Sequence, residues 1–185
     1  MNKITQIFLV ITCITGLLTS CYTKDDENKL ELVLDDEGNY TGFSNLPTDD
    51  TVEDYKEKGY FVKQDSEVIN QEVWDQFIET ATGENETAIR MVRLFTEEGT
   101  TKGPYYQDLF YKDKHYYFFD SSSEYLKEEP FKYLLTLEGQ FGNSKKDSGV
   151  IILTDDNTLT YEDVMNSFLS SVMLDTSPFQ LIMFQ

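Results

Sequence analysis

Residues 105–121, YYQDLFYKDKHYYFFDS, are the most informative part of this chain because they hold two aromatic-rich segments joined by two residues. Aromatic side chains favour the pleated, half-buried surface of a sheet, so residues 105–112 and 115–121 are predicted strands. Only Asp113 and Lys114 separate them, a length that is typical of a tight hairpin. The stretch therefore predicts an antiparallel β-hairpin.

Further segments on both sides of the hairpin also have the composition of strands. β-Branched and aromatic residues dominate them, and the short links between them favour an antiparallel meander. These predicted strands are GYFVK (59–63), AIRMVRLF (88–95), FKYLLTLE (131–138), GVIILT (149–154) and PFQLIMF (178–184).

Two other segments repeat apolar residues with the period of a helix. The first, NQEVWDQFIETATG, begins at Asn70, an expected N-cap, and ends at Gly83. The second places its apolar stripe over residues 164–172, after Thr160 and Asp163, which have the spacing of a capping box. The predicted fold class is α+β, a twisted antiparallel meander of about five to six strands packed on one or two amphipathic helices.

The N-terminus carries an apolar run from Ile4 to Leu18. As a helix this run would be about 22 Å long, which is short for a bilayer core of about 30 Å. With Lys3 ahead of it, the run has the layout of a secretory signal. The sequence Leu-Thr-Ser-Cys that ends at Cys21 resembles the lipobox of bacterial lipoproteins. This resemblance implies cleavage before Cys21 and transfer of a diacylglyceryl group to its thiol. An uncleaved helical anchor and ordinary secretion are the alternatives.

The predicted organisation has three parts: a lipoprotein signal peptide at 1–20, an acidic flexible tether at 21–58 and a single α+β domain at 59–185. Residues 22–58 contain twelve acidic residues against four lysines, a composition that is typical of a solvated linker. Within it, LELVL (30–34) alternates and would suit an edge strand that docks on the domain.

The charge of the chain excludes one large class of partners. It contains 15 basic and 34 acidic residues, a net charge of −19, which becomes −20 once residues 1–20 and their single lysine are removed. Such a charge repels phosphate backbones, so we expect no nucleic-acid partner. Cys13 leaves with the signal peptide and Cys21 carries lipid, so we expect no disulfide, thiol nucleophile or cysteine metal site.

Four stretches together resemble a family of small lipoproteins from Gram-positive bacteria, catalogued as a domain of unknown function. The resemblance covers about residues 60–155. It implies an address on the outer face of a single cell membrane and implies no activity, cofactor or site residue. The stretches are VWDQFIE, IRMVRLFTEEG, PYYQDLFYKDKHYYFFDSS and GVIILTDD.

The aromatic hairpin offers a candidate binding face. Tyr111, Tyr117 and Phe119 are predicted to face outward or into a groove, whereas Phe110 and Phe118 are predicted to face the helix. Tyrosine combines apolar area with a hydroxyl group, which suits recognition of a sugar or a peptide. The alternative is that the whole band is core and cross-strand packing.

No catalytic residue is assigned from the sequence. His115, the only histidine, is predicted to be an exposed residue beside the hairpin turn. DSSSE (120–124) has hydroxyl groups but no paired base or oxyanion glycines, and is predicted to be a turn. Asp120 and Glu138, at strand ends, are the candidate pair for a carboxylate-dependent hydrolase.

The other charged residues favour structural roles. Arg90 and Arg93 lie on opposite faces of a predicted strand, and ion pairing with acids such as Asp108 or Glu97 is favoured over anion binding. Acidic clusters at 35–37, 49–54 and 155–156 lack the alternating ligands and closing glutamate of a calcium loop, so no metal site is predicted.

These observations predict a membrane-anchored extracytoplasmic lipoprotein that acts as a binding module for a protein, a peptide or an envelope component. Its contact with the membrane is the diacylglyceryl anchor at Cys21, and no cofactor is expected. A carboxylate-dependent envelope hydrolase and a structural surface protein without a ligand pocket are the alternatives.

Overall fold

The computed structural model describes residues 30–127, 129–142, 147–169 and 176–185. Within these ranges, three helices and nine strands form the α+β fold that the sequence predicts. The helices are α1 (Val52–Glu57), α2 (Gln71–Thr82) and α3 (Tyr161–Leu169). The strands are β1 (Phe61–Gln64), β2 (Glu67–Ile69), β3 (Thr87–Glu97), β4 (Thr100–Lys112), β5 (His115–Asp120), β6 (Pro130–Phe131), β7 (Tyr133–Gly139), β8 (Ser148–Thr154) and β9 (Phe179–Phe184).

The predicted hairpin is formed by β4 and β5, which pair antiparallel with Tyr111 opposite Tyr116. Asp113 and Lys114 connect the strands with φ angles of 50° and 63°. Two consecutive positive φ angles are the requirement of a type I′ turn, whose twist matches that of the flanking strands. The hairpin prediction is confirmed.

The larger sheet has the strand order β2-β1-β3-β4-β5-β6. Its β1 runs parallel to β3, with Phe61 opposite Met91, whereas the sequence predicts only antiparallel pairs. A parallel pair needs a crossover connection, and α2 supplies it between β2 and β3. The short β2 folds back on β1 in antiparallel register and forms one edge of the sheet.

The remaining strands form a second, antiparallel sheet of order β7-β8-β9. The predicted strand at 131–138 is divided, because β6 ends at Phe131 in the larger sheet and β7 begins at Tyr133 in the smaller one. Between them, the Lys132 backbone N–H donates to the Asp155 carboxylate at 3.0 Å. The predicted strands are therefore divided between two sheets.

The predicted N-terminal cap is confirmed for α3 but not for α2. At the start of α3, Thr160 and Asp163 form a reciprocal capping box, with side-chain-to-backbone distances of 2.9 and 3.2 Å. Asn70 does precede α2, but it has a φ of 57° and no side-chain cap bond. Its amide donates instead to the carbonyl oxygens of Lys56 at 3.1 Å and Tyr60 at 2.8 Å.

The interpretation of 21–58 as a flexible tether is wrong for its described part, residues 30–58, named here the N-terminal segment. Tyr40 and Tyr55 in this segment are only 2% and 0% exposed. Leu30, Leu32 and Leu34 pack against an aromatic core cluster formed by Tyr40, Phe110, Tyr117 and Phe119. LELVL forms no strand and makes a single bridge to Tyr40. The folded unit therefore includes the N-terminal segment, because its leucines and tyrosines cover one face of the larger sheet.

The largest core cluster lies on the opposite face of the larger sheet. It combines the buried face of α2 with side chains from both sheets, so the two sheets share one core. Its buried members are Phe61, Trp74, Phe77, Ala81, Ile89, Met91, Leu109, Tyr111, Ile151, Leu153 and Ile182.

Candidate functional site

A cleft with a volume of about 620 Å³ opens where the N-terminal segment meets the larger sheet. Its walls come from residues 30–32, from the loop at 58–60 after α1 and from Val73 of α2. Its base is formed by residues 87–90 at the start of β3 and residues 110–112 at the end of β4. Ligand sites in proteins commonly have volumes of this order.

Polar groups and apolar groups, among them two aromatic rings, contribute about equally to the inner surface of the cleft. Phe110 reaches it from the face of the sheet that the N-terminal segment covers, and Tyr111 reaches it from the α2 face. The Tyr111 ring packs on Tyr116, with ring centroids 4.8 Å apart. Side chains from both faces of the larger sheet therefore line the cleft.

The charges of the cleft are close to balanced, in contrast with the chain as a whole. Glu31 and Glu86 line it together with Lys58, Arg90 and Lys112. Lys58 forms an ion pair with an aspartate, Asp50, outside the cleft. The cleft therefore carries little of the negative charge that covers the rest of the molecule.

The Arg90 side chain connects the cleft to a buried polar cluster. Its Nε donates to Asp108 Oδ1 at 2.8 Å and its Nη2 donates to Asp108 Oδ2 at 2.6 Å. Asp108 is fully buried and also accepts a 2.7 Å hydrogen bond from the Tyr40 hydroxyl. Arg90 Nη2 reaches the Gly42 carbonyl oxygen at 3.0 Å. The preference for structural ion pairing at Arg90 is confirmed, and the pair fastens the N-terminal segment to the sheet.

Aromatic rings surround the same guanidinium group. The Arg90 Cζ atom lies 6.0 Å from the Phe43 ring centroid, 5.8 Å from that of Tyr60 and 6.0 Å from that of Tyr106. Burial by itself lowers the pKa of Arg90, but the hydrogen bonds and charge of Asp108 raise it overall. Arg90 is therefore a permanent cation, held by a carboxylate and by aromatic faces.

Burial raises the pKa of several tyrosines near this cluster. The pKa of Tyr40 rises further because its hydroxyl donates to the Asp108 carboxylate, which a phenolate could not do. The pKa of Tyr55 and Tyr106 also rises through burial. The Tyr106 hydroxyl donates to the Pro47 carbonyl oxygen at 2.5 Å. Tyr40 and Tyr106 are therefore neutral hydrogen-bond donors within the fold.

The three predicted binding residues do not share one face. Tyr117 and Phe119 belong to the core cluster that the N-terminal segment covers, whereas Tyr111 belongs to the cluster under α2. Their exposed fractions are 9%, 2% and 8%, respectively. The predicted grouping of Phe110 with Phe118 is also wrong, because Phe110 pairs with Tyr117. These positions match the alternative of core and cross-strand packing, and among the three only Tyr111 lines the cleft.

The catalytic candidates lie apart from the cleft lining. His115 is beside the hairpin turn, where its Nδ1 lies 2.9 Å from the Asp113 carbonyl oxygen. Asp120 ends β5 in the larger sheet and accepts hydrogen bonds from Gln107 and from Ser122 of the DSSSE turn. Glu138 lies in the smaller sheet. The pair proposed for a hydrolase is thus divided between two sheets.

Carboxylates in the acidic clusters act as local caps. Asp35 accepts from the backbone N–H groups of Glu37 at 2.9 Å and Asn39 at 2.8 Å, and these bonds lower its pKa. Asp156 accepts from the Thr158 backbone at 2.9 Å. Over the described parts of the chain, no group of three or more histidine, cysteine, aspartate or glutamate side chains is arranged to hold a metal ion.

The predicted lipidation site, Cys21, and the apolar run at 4–18 lie outside the described residues. Inside the described ranges, no helix combines the length and the hydrophobicity needed to span a bilayer.

Sequence reasoning missed most of the cleft. Leu30 and Leu32 were placed in the tether and Tyr60 in a strand, yet all three line the cleft. The alternation of LELVL does predict that this stretch docks on the domain, and its leucines face inward while Glu31 and Val33 remain exposed. No comparable signal marks Tyr60.

Comparisons with models of protein families, with curated proteins and with solved structures give no match for this chain. The geometry of the cleft and the N-terminal sequence are therefore the observations from which a function is inferred.

Proposed function

We propose that this protein is a membrane-anchored extracytoplasmic lipoprotein whose folded domain binds a protein, a peptide or a component of the cell envelope. The observation that carries the binding role is the cleft of about 620 Å³ between the N-terminal segment and the larger sheet. The cleft has an aromatic base and nearly balanced charge, whereas the rest of the surface is strongly acidic. The cleft is therefore suited to a ligand that is not drawn to the protein by negative surface charge.

The anchor is supported by the lipobox resemblance that ends at Cys21. Only eight residues separate Cys21 from Leu30, the first residue of the cleft wall, so the two residues are nine steps apart along the chain. Nine steps can span at most about 32 Å, since an extended chain covers about 3.3–3.6 Å per residue. A domain held in this way presents its cleft close to the membrane surface, where envelope components are concentrated.

The anchor is tested by substitution of the two cysteines. Cys21→Ala should move the protein from the membrane fraction to the soluble or precursor fraction, and mass spectrometry should find an acylated N-terminal cysteine only in the unmutated protein. Cys13→Ala, which changes a thiol inside the predicted signal peptide, is the matched control and should be processed normally. Normal membrane attachment of the Cys21→Ala protein without a retained signal peptide would reject the anchor.

The binding role is tested by photo-cross-linking in intact cells. A photoreactive phenylalanine analogue at Thr87, which lines the cleft, should form a specific adduct with an envelope component. The same analogue at Thr136, an exposed residue of β7, is the control and should not form that adduct. Identical adducts at both positions, or none at Thr87, would reject the cleft as the binding site.

The hydrolase alternative gains no comparable support. Among the described residues, Asp108 is the only buried carboxylate, and its oxygens accept hydrogen bonds from Arg90 and Tyr40. A carboxylate with these hydrogen bonds has a structural role in the fold.

A further inference from the structure

The first residues of β3 form an open strand edge inside the cleft. On one side, β3 pairs with β4 from Thr87 onward. On the other side, β1 pairs with β3 only from Met91 to Leu94. Within the described parts of the chain, no strand lies beside residues 87–90 on that second side.

The backbone of Ala88 is directed toward this open side. The backbone of Leu94 points toward β1, because its carbonyl oxygen accepts a 3.1 Å hydrogen bond from the backbone N–H of Asp65, the residue that follows β1. Backbone groups on a strand alternate between the two neighbouring positions with a period of two. Counting back from Leu94 through Val92 and Arg90, the N–H and C=O groups of Ala88 point the same way.

The open edge is enclosed above and below, unlike an ordinary exposed edge. Leu32 and Phe110 bound it on the face covered by the N-terminal segment, and Val73 and Tyr111 bound it on the α2 face. A second cavity of about 410 Å³ shares Val73 and Ala88 and continues along α2. The space beside the first residues of β3 is therefore a slot with a pocket on either face, and Gly59 and Tyr60, which lead into β1, line its end.

Resting on the proposed binding role, we propose that this slot binds an extended peptide segment of a partner protein, which adds to β3 at residues 87–90 as an additional strand. Unpaired strand edges are templates for such pairing. Four residues of β3 cover about 13 Å, enough to pair with a peptide of four or five residues. Alternate side chains of the peptide would then enter the pockets on opposite faces of the sheet.

The lining indicates the composition of the peptide. Pockets walled by Leu32, Phe110 and Val73 favour apolar side chains at alternate positions. Lys58 and Arg90 are already paired with carboxylates of this chain, and the acidic surface outside repels further negative charge. The slot therefore fits a segment that has apolar residues at every second position and carries no negative charge.

The test uses the full chain in detergent micelles and a phage-displayed library of random octapeptides. Selection on the unmutated protein should enrich peptides with alternating apolar residues. The enriched peptide, made synthetically, should bind Ala88→Pro at least about tenfold more weakly, because proline removes the outward N–H. Ala88→Ser keeps that N–H and is the matched control, which should lose much less affinity than Ala88→Pro. Trp74 fluorescence reports whether each variant is folded.

A second measurement needs no variant of the protein. N-methylation of the peptide backbone, one residue at a time, should weaken binding about tenfold at every second position of the paired segment and little at the positions between. Unchanged affinity for folded Ala88→Pro, N-methyl effects without this alternation, or no enriched peptide would each overturn strand addition. The cellular cross-link at Thr87 can still form in any of these cases, so the binding role is judged separately.

Discussion

Replacing Asp108 by asparagine should strongly destabilise the fold. The carboxylate accepts three hydrogen bonds, two from Arg90 at 2.6 and 2.8 Å and one from Tyr40 at 2.7 Å. Asparagine has one acceptor oxygen, and its amino group would face a donor that Asp108 now satisfies. The substitution also leaves the Arg90 charge without its counterion. Removing one partner of a buried ion pair costs about 3–5 kcal/mol, which is our expected loss in the free energy of unfolding.

Two further variants separate the contribution of the Tyr40 hydrogen bond from that of the ion pair. Tyr40→Phe removes only the hydroxyl bond and leaves the ion pair, so we expect a loss of about 1.5–3 kcal/mol, the value of a hydrogen bond to a charged group. The double variant Arg90→Met/Asp108→Leu removes both charges. It should cost less than the sum of the two single substitutions by at least about 1 kcal/mol, because neither charge is then left unpaired.

Urea unfolding measures these differences. Trp74 is the only tryptophan and is 5% exposed in the core under α2, so its fluorescence reports loss of the native packing. Arg93→Met is the matched control, because Arg93 lies on the same strand with an exposed side chain, and it should change stability by less than about 0.5 kcal/mol. A loss below about 1 kcal/mol for Asp108→Asn, or strict additivity in the double variant, would refute the reasoning.

Three other outcomes are expected. Stability should fall above about pH 10, because tyrosines ionise there in the unfolded chain while the buried tyrosines with a raised pKa remain neutral in the fold. Each such tyrosine contributes about 1.4 kcal/mol per pH unit, and urea midpoints measured at rising pH beside tyrosinate absorbance will show it; constant midpoints would contradict it. Asp113→Asn/Lys114→Gly should raise the free energy of unfolding by about 1 kcal/mol, since both residues have positive φ and asparagine and glycine adopt that conformation more easily. A lowered thermal midpoint would contradict that expectation. Thr160→Ala should cost about 1 kcal/mol through loss of the α3 cap, with Thr160→Ser as a control close to the unmutated protein; equal losses in both would show that the hydroxyl does not matter.

Elements whose information is local could be predicted from the sequence. The hairpin of β4 and β5 needs only two aromatic segments and a two-residue link, and α2 needs only a helical stripe that ends near Gly83. The two-residue turn also determines which side chains of the two strands share a face. A two-residue link places Lys112 opposite His115 and therefore Phe110 opposite Tyr117, which fixes the two on one face.

Elements that depend on distant contacts could not be predicted in the same way. The parallel pairing of β1 with β3 is non-local, and four residues of β1 carry no sign of their partner. The acidic composition of the N-terminal segment predicts a solvated linker, and nothing in the local sequence indicates that Tyr40 is buried. Tyr40 is buried only because the folded chain brings it against Asp108, which is distant in sequence. Since both faces of the larger sheet are covered, alternation within β4 and β5 could not distinguish core from surface.

The buried ion pair and the proposed peptide slot are physically connected through the N-terminal segment. Tyr40 and Gly42 are hydrogen-bonded to Asp108 and Arg90, and the leucines that form the cleft wall pack on the cluster that includes Tyr40. Loss of the ion pair should therefore weaken peptide binding as well as stability. Ala88→Pro should weaken binding with a much smaller effect on stability, because the lost N–H makes no ladder bond to β4. Losses of stability and binding in the same proportion for the two variants would contradict a specific role of the slot in binding.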